Sequence, residues 1–80
     1  MKKVILKQVK NGDYFRLRPT EKAPVWIRGD YERDTKKYEC YRYDNVNYML
    51  TMKGTREVYV DFEFYHFNIY NYDRNGTQEL

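Results

Sequence analysis

The most constraining feature of the sequence is a period-two alternation in REVYVDFEF, residues 56–64. The apolar members are Val58, Val60, Phe62 and Phe64, and the residues between them are Glu57, Tyr59, Asp61 and Glu63. Successive side chains of a strand point to opposite faces, so this pattern predicts a strand with one buried face. The phase slips after Phe64, which predicts a bulge or bend near Tyr65 and His66.

A first hairpin is predicted around Asn11-Gly12. These two residues lie between alternating apolar runs, and both accept the positive φ that a two-residue hairpin turn needs. The hairpin assigns Leu6, Phe15 and Leu17 to the inner face and Tyr14, Arg16 and Arg18 to the outer face. The alternative is a looser turn in which Val9 fills the base of the sheet.

A second hairpin is predicted over residues 23–44, with a polar loop at residues 33–36. Its register pairs Tyr31 with Tyr38 and Trp26 with Tyr43. The inner row is Val25, Ile27, Tyr31, Tyr38 and Cys40, and the outer row is Trp26, Arg28, Tyr41 and Tyr43. Arg42 falls in the inner row opposite Ile27, which is acceptable only at the rim of the sheet.

These signals predict an all-β fold, a small antiparallel and partly open SH3-like barrel of about five strands. An OB-like barrel is the alternative, although no helix long enough to cap one is visible. Within residues 45–54, Tyr48 to Met52 fits either a single helical turn or a short strand. One β-barrel domain is predicted over residues 1–72, followed by a flexible C-terminal tail, residues 73–80.

Composition narrows the class of protein. Eighty residues form one domain, which buries only about 60% of its unfolded surface. Cys40 is the sole cysteine, so no internal disulfide forms, and no apolar run reaches the roughly 20 residues that span a bilayer. With no apolar stretch of signal-peptide length near the start, we expect a cytoplasmic protein without membrane contact.

The residue inventory argues against an enzyme. The chain has no Ser and a single His, His66, which would have to reach Cys40 to form a nucleophile–base pair. One His and one Cys do not supply the four ligands of a structural zinc site. The acidic residues near the second loop, Asp30, Glu32, Asp34 and Glu39, are interpreted as solvated charges. We therefore expect a non-enzymatic protein without metal or cofactor.

The outer faces of the two hairpins suggest a binding module. Residues 1–42 contain 12 basic and 6 acidic residues, and such an excess attracts polyanions. Weak single-stranded nucleic-acid binding is the leading hypothesis, with bases stacked on aromatic rings and arginines on phosphates. The predicted site is Arg16, Arg18, Trp26, Arg28, Tyr41, Arg42 and Tyr43. The alternative is a protein–protein interaction module, and a homodimer through the aromatic segment 62–72 is a further possibility.

Three segments resemble small uncharacterised proteins of bacteriophages and mobile elements, of SH3-like barrel type. They are VKNGDYFRL, VWIRGDYERDTKKYECYRYDNVN and REVYVDFEF, and the likeness covers about residues 9–64. The matching positions are Val9, Gly12, Phe15, Tyr31, Arg33, Lys37, Tyr38, Asp44 and Asn47. The resemblance implies no activity, and it points to a phage or mobile-element context. In that context, the protein-interaction alternative is an accessory protein that acts on a host protein.

Overall fold

The computed structural model describes residues 1–63 and shows six β-strands with a single short 3-10 helix. The strands are β1 (Lys2–Ile5), β2 (Tyr14–Arg16), β3 (Val25–Glu32), β4 (Lys37–Arg42), β5 (Asn45–Lys53) and β6 (Glu57–Val60), and the 3-10 helix is Leu6–Gln8. The predicted all-β class is confirmed, with one strand more than the five expected. Residues 45–53 form a strand rather than a helical turn.

All six strands belong to one antiparallel sheet, in the order β1-β6-β2-β3-β4-β5. The last described strand, β6, lies between β1 and β2, so Lys2 near one end of the described chain pairs with Val60 near the other. The sheet stays open, with β1 at one edge and β5 at the other. This architecture is consistent with the predicted small, partly open barrel.

The Asn11-Gly12 turn forms, but it does not join a hairpin. Asp13 donates its backbone N–H to the Lys10 carbonyl at 3.0 Å, and Gly12 has a φ of 90°. However, β1 pairs with β6 rather than with β2, because the 3-10 helix turns the chain away after Ile5. Val9 follows the helix and is buried, as the looser-turn alternative predicted.

The core lies on one face of the sheet. Its buried members are Leu6, Val9, Phe15, Trp26, Cys40, Met52 and Val58, with Val4, Leu17, Tyr38 and Val60 packed against them. Each fully buried aliphatic or aromatic side chain of this kind contributes about 1.5–3 kcal/mol of transfer free energy. Phe15, Leu17, Cys40 and Tyr38 were predicted to face inward, and they do.

The second hairpin has the predicted loop but a different register. Tyr31 pairs with Tyr38, as predicted, and Glu32 pairs with Lys37 beside the loop. The register then shifts between Arg28 and Tyr31, so Arg28 pairs with Cys40 and Trp26 with Arg42. One additional residue in β3 reverses the orientation of every side chain before it. The predicted pairing of Trp26 with Tyr43 is therefore wrong.

Contacts from two other segments hold this bulge in place. Gly12 donates its N–H to the Arg28 carbonyl at 2.7 Å, and Asn11 donates its side-chain amide to Asp30 at 2.8 Å. A Cβ on Gly29 would lie 2.7 Å from the Tyr41 ring and 2.8 Å from the Glu39 carbonyl oxygen. Glycine is therefore required at position 29, because the Tyr41 ring crosses directly over its backbone.

The strand at the end of the described chain is shorter than the sequence predicts. It ends at Val60, and Asp61 has a φ of 60°, a left-handed conformation that ends regular pairing. Val58 and Val60 face the core as predicted, whereas the Phe62 ring lies against Arg16. Several predictions concern residues that the structure does not describe. They are the inward orientation of Phe64, the bend near Tyr65 and His66, the domain limit at residue 72, the tail 73–80 and most of the segment 62–72. Residues 1–63 contain no helix long and apolar enough to cross a membrane.

Candidate functional site

The bulge in β3 divides the predicted nucleic-acid site between the two faces of the sheet. Trp26 was predicted to face solvent, but it is 4% exposed and belongs to the core. Arg28 and Arg42 lie on the same face as Trp26, because Arg42 is its cross-strand partner and Arg28 follows two residues later. Tyr41 and Tyr43 lie on the opposite face. The proposed stacking residues and phosphate contacts therefore do not form one surface.

Arg16 was also predicted to face solvent, and it is 5% exposed. Its guanidinium carbon lies 4.4 Å from the centroid of the Phe62 ring, a cation–π contact. Within residues 1–63, its buried Nε and Nη1 atoms have no hydrogen-bond partner. Because Phe62 covers it, Arg16 is not available to a nucleic-acid backbone in this conformation.

Two arginines of the core face, Arg28 and Arg42, are held by neighbouring side chains. Arg28 is half-buried, with its guanidinium carbon 4.2 Å from the centroid of the Tyr38 ring. Arg42 donates two hydrogen bonds to the Asp44 carboxylate, at 3.1 and 2.9 Å. This bidentate contact raises the pKa of Arg42. It also uses the donors that a phosphate contact would need.

The remaining predicted residues are two tyrosines on the face opposite the core and one arginine outside the strands. Tyr41 covers Gly29 and donates its hydroxyl to Glu39 at 3.0 Å, which raises the pKa of the Tyr41 phenol. Tyr43 makes an edge contact with Tyr14, at 5.7 Å between ring centroids. Arg18 is exposed as predicted, but it lies in the connection between β2 and β3. Packing within the sheet thus accounts for both tyrosines.

Cys40 has the properties of a core side chain. It is fully buried, and burial raises the pKa of its thiol to about 11. A thiol with such a pKa carries little of the thiolate that nucleophilic chemistry requires at neutral pH. His66, the other half of the only Cys/His pair, lies outside the described residues. Within residues 1–63, no three or more His, Cys, Asp or Glu side chains are grouped to hold a metal ion.

An open cavity of about 490 Å³ lies where the end of β6 approaches β1 and the start of β2. Its lining mixes Val4 and Val60 with Lys2, Asp13 and Asp61. The lining thus combines one basic and two acidic side chains with aliphatic and aromatic groups. The cavity therefore presents no single chemistry that a ligand could match.

Among the described residues, the most unusual surface is that of the edge strand β5. Eight of its nine residues are exposed, and only Met52 is buried. Four of its exposed residues have large apolar side chains: Val46 at 62%, Tyr48 at 46%, Met49 at 44% and Leu50 at 43%. Single exposed apolar side chains are ordinary, but a contiguous group along one strand marks an interaction surface.

Apart from the register shift near its start, this strand lacks the devices that usually protect a sheet edge. From Asn45 to Met52 it contains no charged residue, no proline and no glycine. Met49–Lys53 continues in register with β4, and the register shifts only at the Tyr41–Arg42 end. In the described part of the chain β5 pairs with β4 alone, so its other side presents free backbone donors and acceptors.

The sequence allows Tyr48 to Met52 to be either a helical turn or a short strand, because NVNYMLTMK does not alternate. Asn45 and Asn47 suggest a turn, and Asn47 does donate its N–H to the Asn45 side chain at 3.2 Å. The sequence did contain a usable signal of an apolar segment. The nine residues 45–53 carry a single charge, that of Lys53 at their end. Such a run is too short for a membrane span and too exposed in this fold for a core strand.

Comparison with protein-family models, with curated proteins and with solved structures found no match. The resemblance to small phage and mobile-element proteins therefore stays a prediction, as does the expectation that the protein is not an enzyme. Any functional assignment rests on the geometry of residues 1–63, and in that geometry the unprotected β5 edge is the feature that packing within the molecule leaves unexplained.

Proposed function

We propose that this protein is a protein-interaction module that binds an extended segment of a partner as an additional strand beside β5. The observation that carries the proposal is the concentration of exposed apolar side chains on an uncharged, nine-residue edge strand. Protein binding was the alternative function that the sequence suggested. We now assign it to the β5 edge instead of the aromatic hairpin face.

Strand addition matches what β5 offers. Main-chain hydrogen bonds to the free edge provide affinity, and alternate side chains of the bound segment contact the two faces. Each hydrogen bond contributes a net 0.5–1.5 kcal/mol or so, because it replaces bonds to water. Tyr48 and Leu50 lie beside the core row, and Met49 lies on the other face. A bound strand with apolar side chains could bury all three.

The same surface is poorly suited to nucleic acid. Phosphate contacts require basic side chains, and β5 has only Lys53, at its end. Of the arginines of the predicted site, Arg16 is buried and Arg28 is stacked on Tyr38. Arg42 is paired with Asp44, and Arg18 lies in the connection between β2 and β3. A partner that supplies backbone and apolar groups fits β5 better than a polyanion does.

A selection from a random peptide library tests the proposal. We expect the selected peptides to carry apolar residues at alternate positions. We also expect their binding to require the backbone N–H group of every second residue. Methylation of one peptide nitrogen at a time should abolish binding at every second residue and be tolerated between. That two-residue period is characteristic of strand pairing, because alternate residues of a strand point their N–H groups away from the partner.

Two controls accompany the selection. A Leu50→Lys variant should lose the peptides, whereas Tyr31→Lys, which changes a similarly exposed side chain on β3, should retain them. A labelled single-stranded oligonucleotide, titrated at low and moderate salt, covers the nucleic-acid hypothesis. Peptides that bind without the two-residue period, or equally to both variants, would refute the assignment to β5.

A further inference from the structure

We infer that the strand added to β5 is β5 of a second copy of this chain, paired antiparallel about a two-fold axis at Met49. This inference rests on the proposed function and names the partner for the same edge. In this register all nine residues of β5 overlap, with Asn45 opposite Lys53 of the second copy. A symmetric contact of this kind is closed and uses the same surface of both copies.

The distribution of charge supports self-pairing. Between Asn45 and Met52 no residue is charged, so two copies meet without opposing like charges. Lys53 is the exception, and within its own chain it already faces Lys37, an unfavourable like-charge pair. In the dimer, Lys53 lies opposite Asn45 and next to Asp44 of the second copy. Asp44 is half or more exposed, at 56%, so it is accessible to that lysine.

The side-chain rows also match. Leu50 pairs with Cys40 and Met52 with Tyr38, which places both on the core face. Tyr48 reaches the same face, with its ring 5.9 Å from that of Trp26. In the proposed register Tyr48 faces Leu50 of the second copy, and Val46 faces Met52. The apolar row of one copy would therefore continue into that of the other.

The two edges of the sheet limit this assembly to a dimer. Once both β5 strands are paired, the remaining edges are the two β1 strands, each with Lys2 and Lys3 exposed. Lysines on an edge oppose further strand addition. A single strand pair also lies at the small end of interface sizes, below about 1,200 Å², so we expect a reversible, concentration-dependent dimer.

Disulfide cross-linking tests both the partner and the register. Met49→Cys places a thiol on the proposed axis, where opposed Cα atoms lie about 4.5–5.5 Å apart, within disulfide reach. Thr51→Cys is the matched control, since its copies are offset by four residues, about 13 Å. Wild type controls for Cys40, which is buried and poorly ionised. In a glutathione redox buffer we expect at least tenfold more cross-linked dimer from Met49→Cys than from either control.

Sedimentation of the reduced wild type, which depends on no engineered cysteine, is the second measurement. We expect a monomer–dimer equilibrium that Leu50→Lys shifts at least tenfold toward monomer. Equal cross-linking at positions 49 and 51, or a wild type that stays monomeric at every concentration, would overturn the inference. A monomer whose peptides show the two-residue methylation period would refute self-pairing and leave strand addition at β5 standing.

Discussion

The two edges of this sheet differ in length, charge and exposed apolar surface. At one edge, β1 has four residues, two of which are lysines. The Nζ atom of Lys3 lies 3.8 Å from the Oε1 atom of Glu57 on β6. At the other edge, β5 has nine residues, with no charge before Lys53 and four exposed large apolar side chains. Both edges present unpaired backbone groups in the described chain, but only β1 has side chains that deter another strand.

This difference shows that an exposed sheet edge is not always open to pairing with another strand. The β1 edge is protected in the usual way, by short length and lysine. The β5 edge would promote aggregation if it stayed uncovered, and a partner strand would remove that hazard. The contrast between the edges can be tested by changing each edge in turn.

The largest expected effect on stability is that of replacing Trp26, the core residue that β5 contacts through Tyr48. We expect Trp26→Ala to lower the free energy of unfolding by about 3–5 kcal/mol, measured by chemical denaturation. This is a large part of the stability of a small domain, so Trp26→Phe provides a milder variant.

Val46→Ala is the control for Trp26, because it removes an apolar side chain from the exposed side of the same region. It should change the free energy of unfolding by about 0.5 kcal/mol or less. If Trp26→Ala were equally mild, the indole would not be a core residue, and the account of the bulge would fail.

A charge on β5 should make it resemble β1. We expect Leu50→Lys to weaken association or peptide binding at least tenfold, because a lysine would have to be buried beside an apolar strand. Its effect on the free energy of unfolding should stay near 0.5 kcal/mol, since Leu50 is 43% exposed. Analytical ultracentrifugation and denaturation measure the two quantities. Equal binding by Leu50→Lys and wild type would contradict the role of β5.

The converse change should make β1 resemble β5. In the Lys2→Thr, Lys3→Thr double variant we expect species larger than a dimer at high concentration, detected by light scattering, because the second edge loses its protection. Lys7→Thr removes a similar exposed positive charge from the 3-10 helix and should not have this effect. If the double variant assembles no further than wild type does, β1 is protected by its length and not by its lysines.

The smallest expected effect is that of salt. Association through an uncharged strand should change by less than about twofold between about 50 and about 200 mM salt, measured by sedimentation at each concentration. Binding that depends on several phosphate contacts falls by orders of magnitude over the same range. A steep decrease would favour the nucleic-acid hypothesis over strand addition.

The sequence predicted the local features of this fold well. The all-β class, the loop at residues 33–36, the pairing of Tyr31 with Tyr38 and the inward orientation of Cys40 follow from neighbouring residues alone. Such features depend on turn chemistry and on alternation over a few positions.

The orientation of Trp26 could not be derived in the same way. It depends on one additional residue in β3, and the contacts that fix it come from Asn11 and Gly12, far away in the chain. Gly29 was the available signal, because an isolated glycine within a strand indicates a bulge or a close approach. A single-residue error in register placed Trp26 and Arg28 on the wrong face, whereas the observed register separates them from Tyr41 and Tyr43.

The pairing of β1 with β6 and the position of β5 are long-range results. The Asn11-Gly12 turn suggested that β1 pairs with β2, but the buried Leu6 and Val9 direct the chain across the sheet instead. The low charge of NVNYMLTMK was a signal of an apolar segment, but whether a strand lies at an edge or in the interior depends on which strands the remaining chain supplies. The candidate site is therefore visible only in the assembled sheet.

Hydrogen exchange of the backbone amides tests the central claim most directly, which is that β5 is the open edge on which a second strand is added. The measurement compares wild type at concentrations well below and well above the association midpoint, or with and without a saturating selected peptide. We predict that alternate amides of β5 exchange at least tenfold more slowly in the bound state, while the amides of β1 are unchanged. Protection that spares β5, or that appears at β1 instead, would contradict the account.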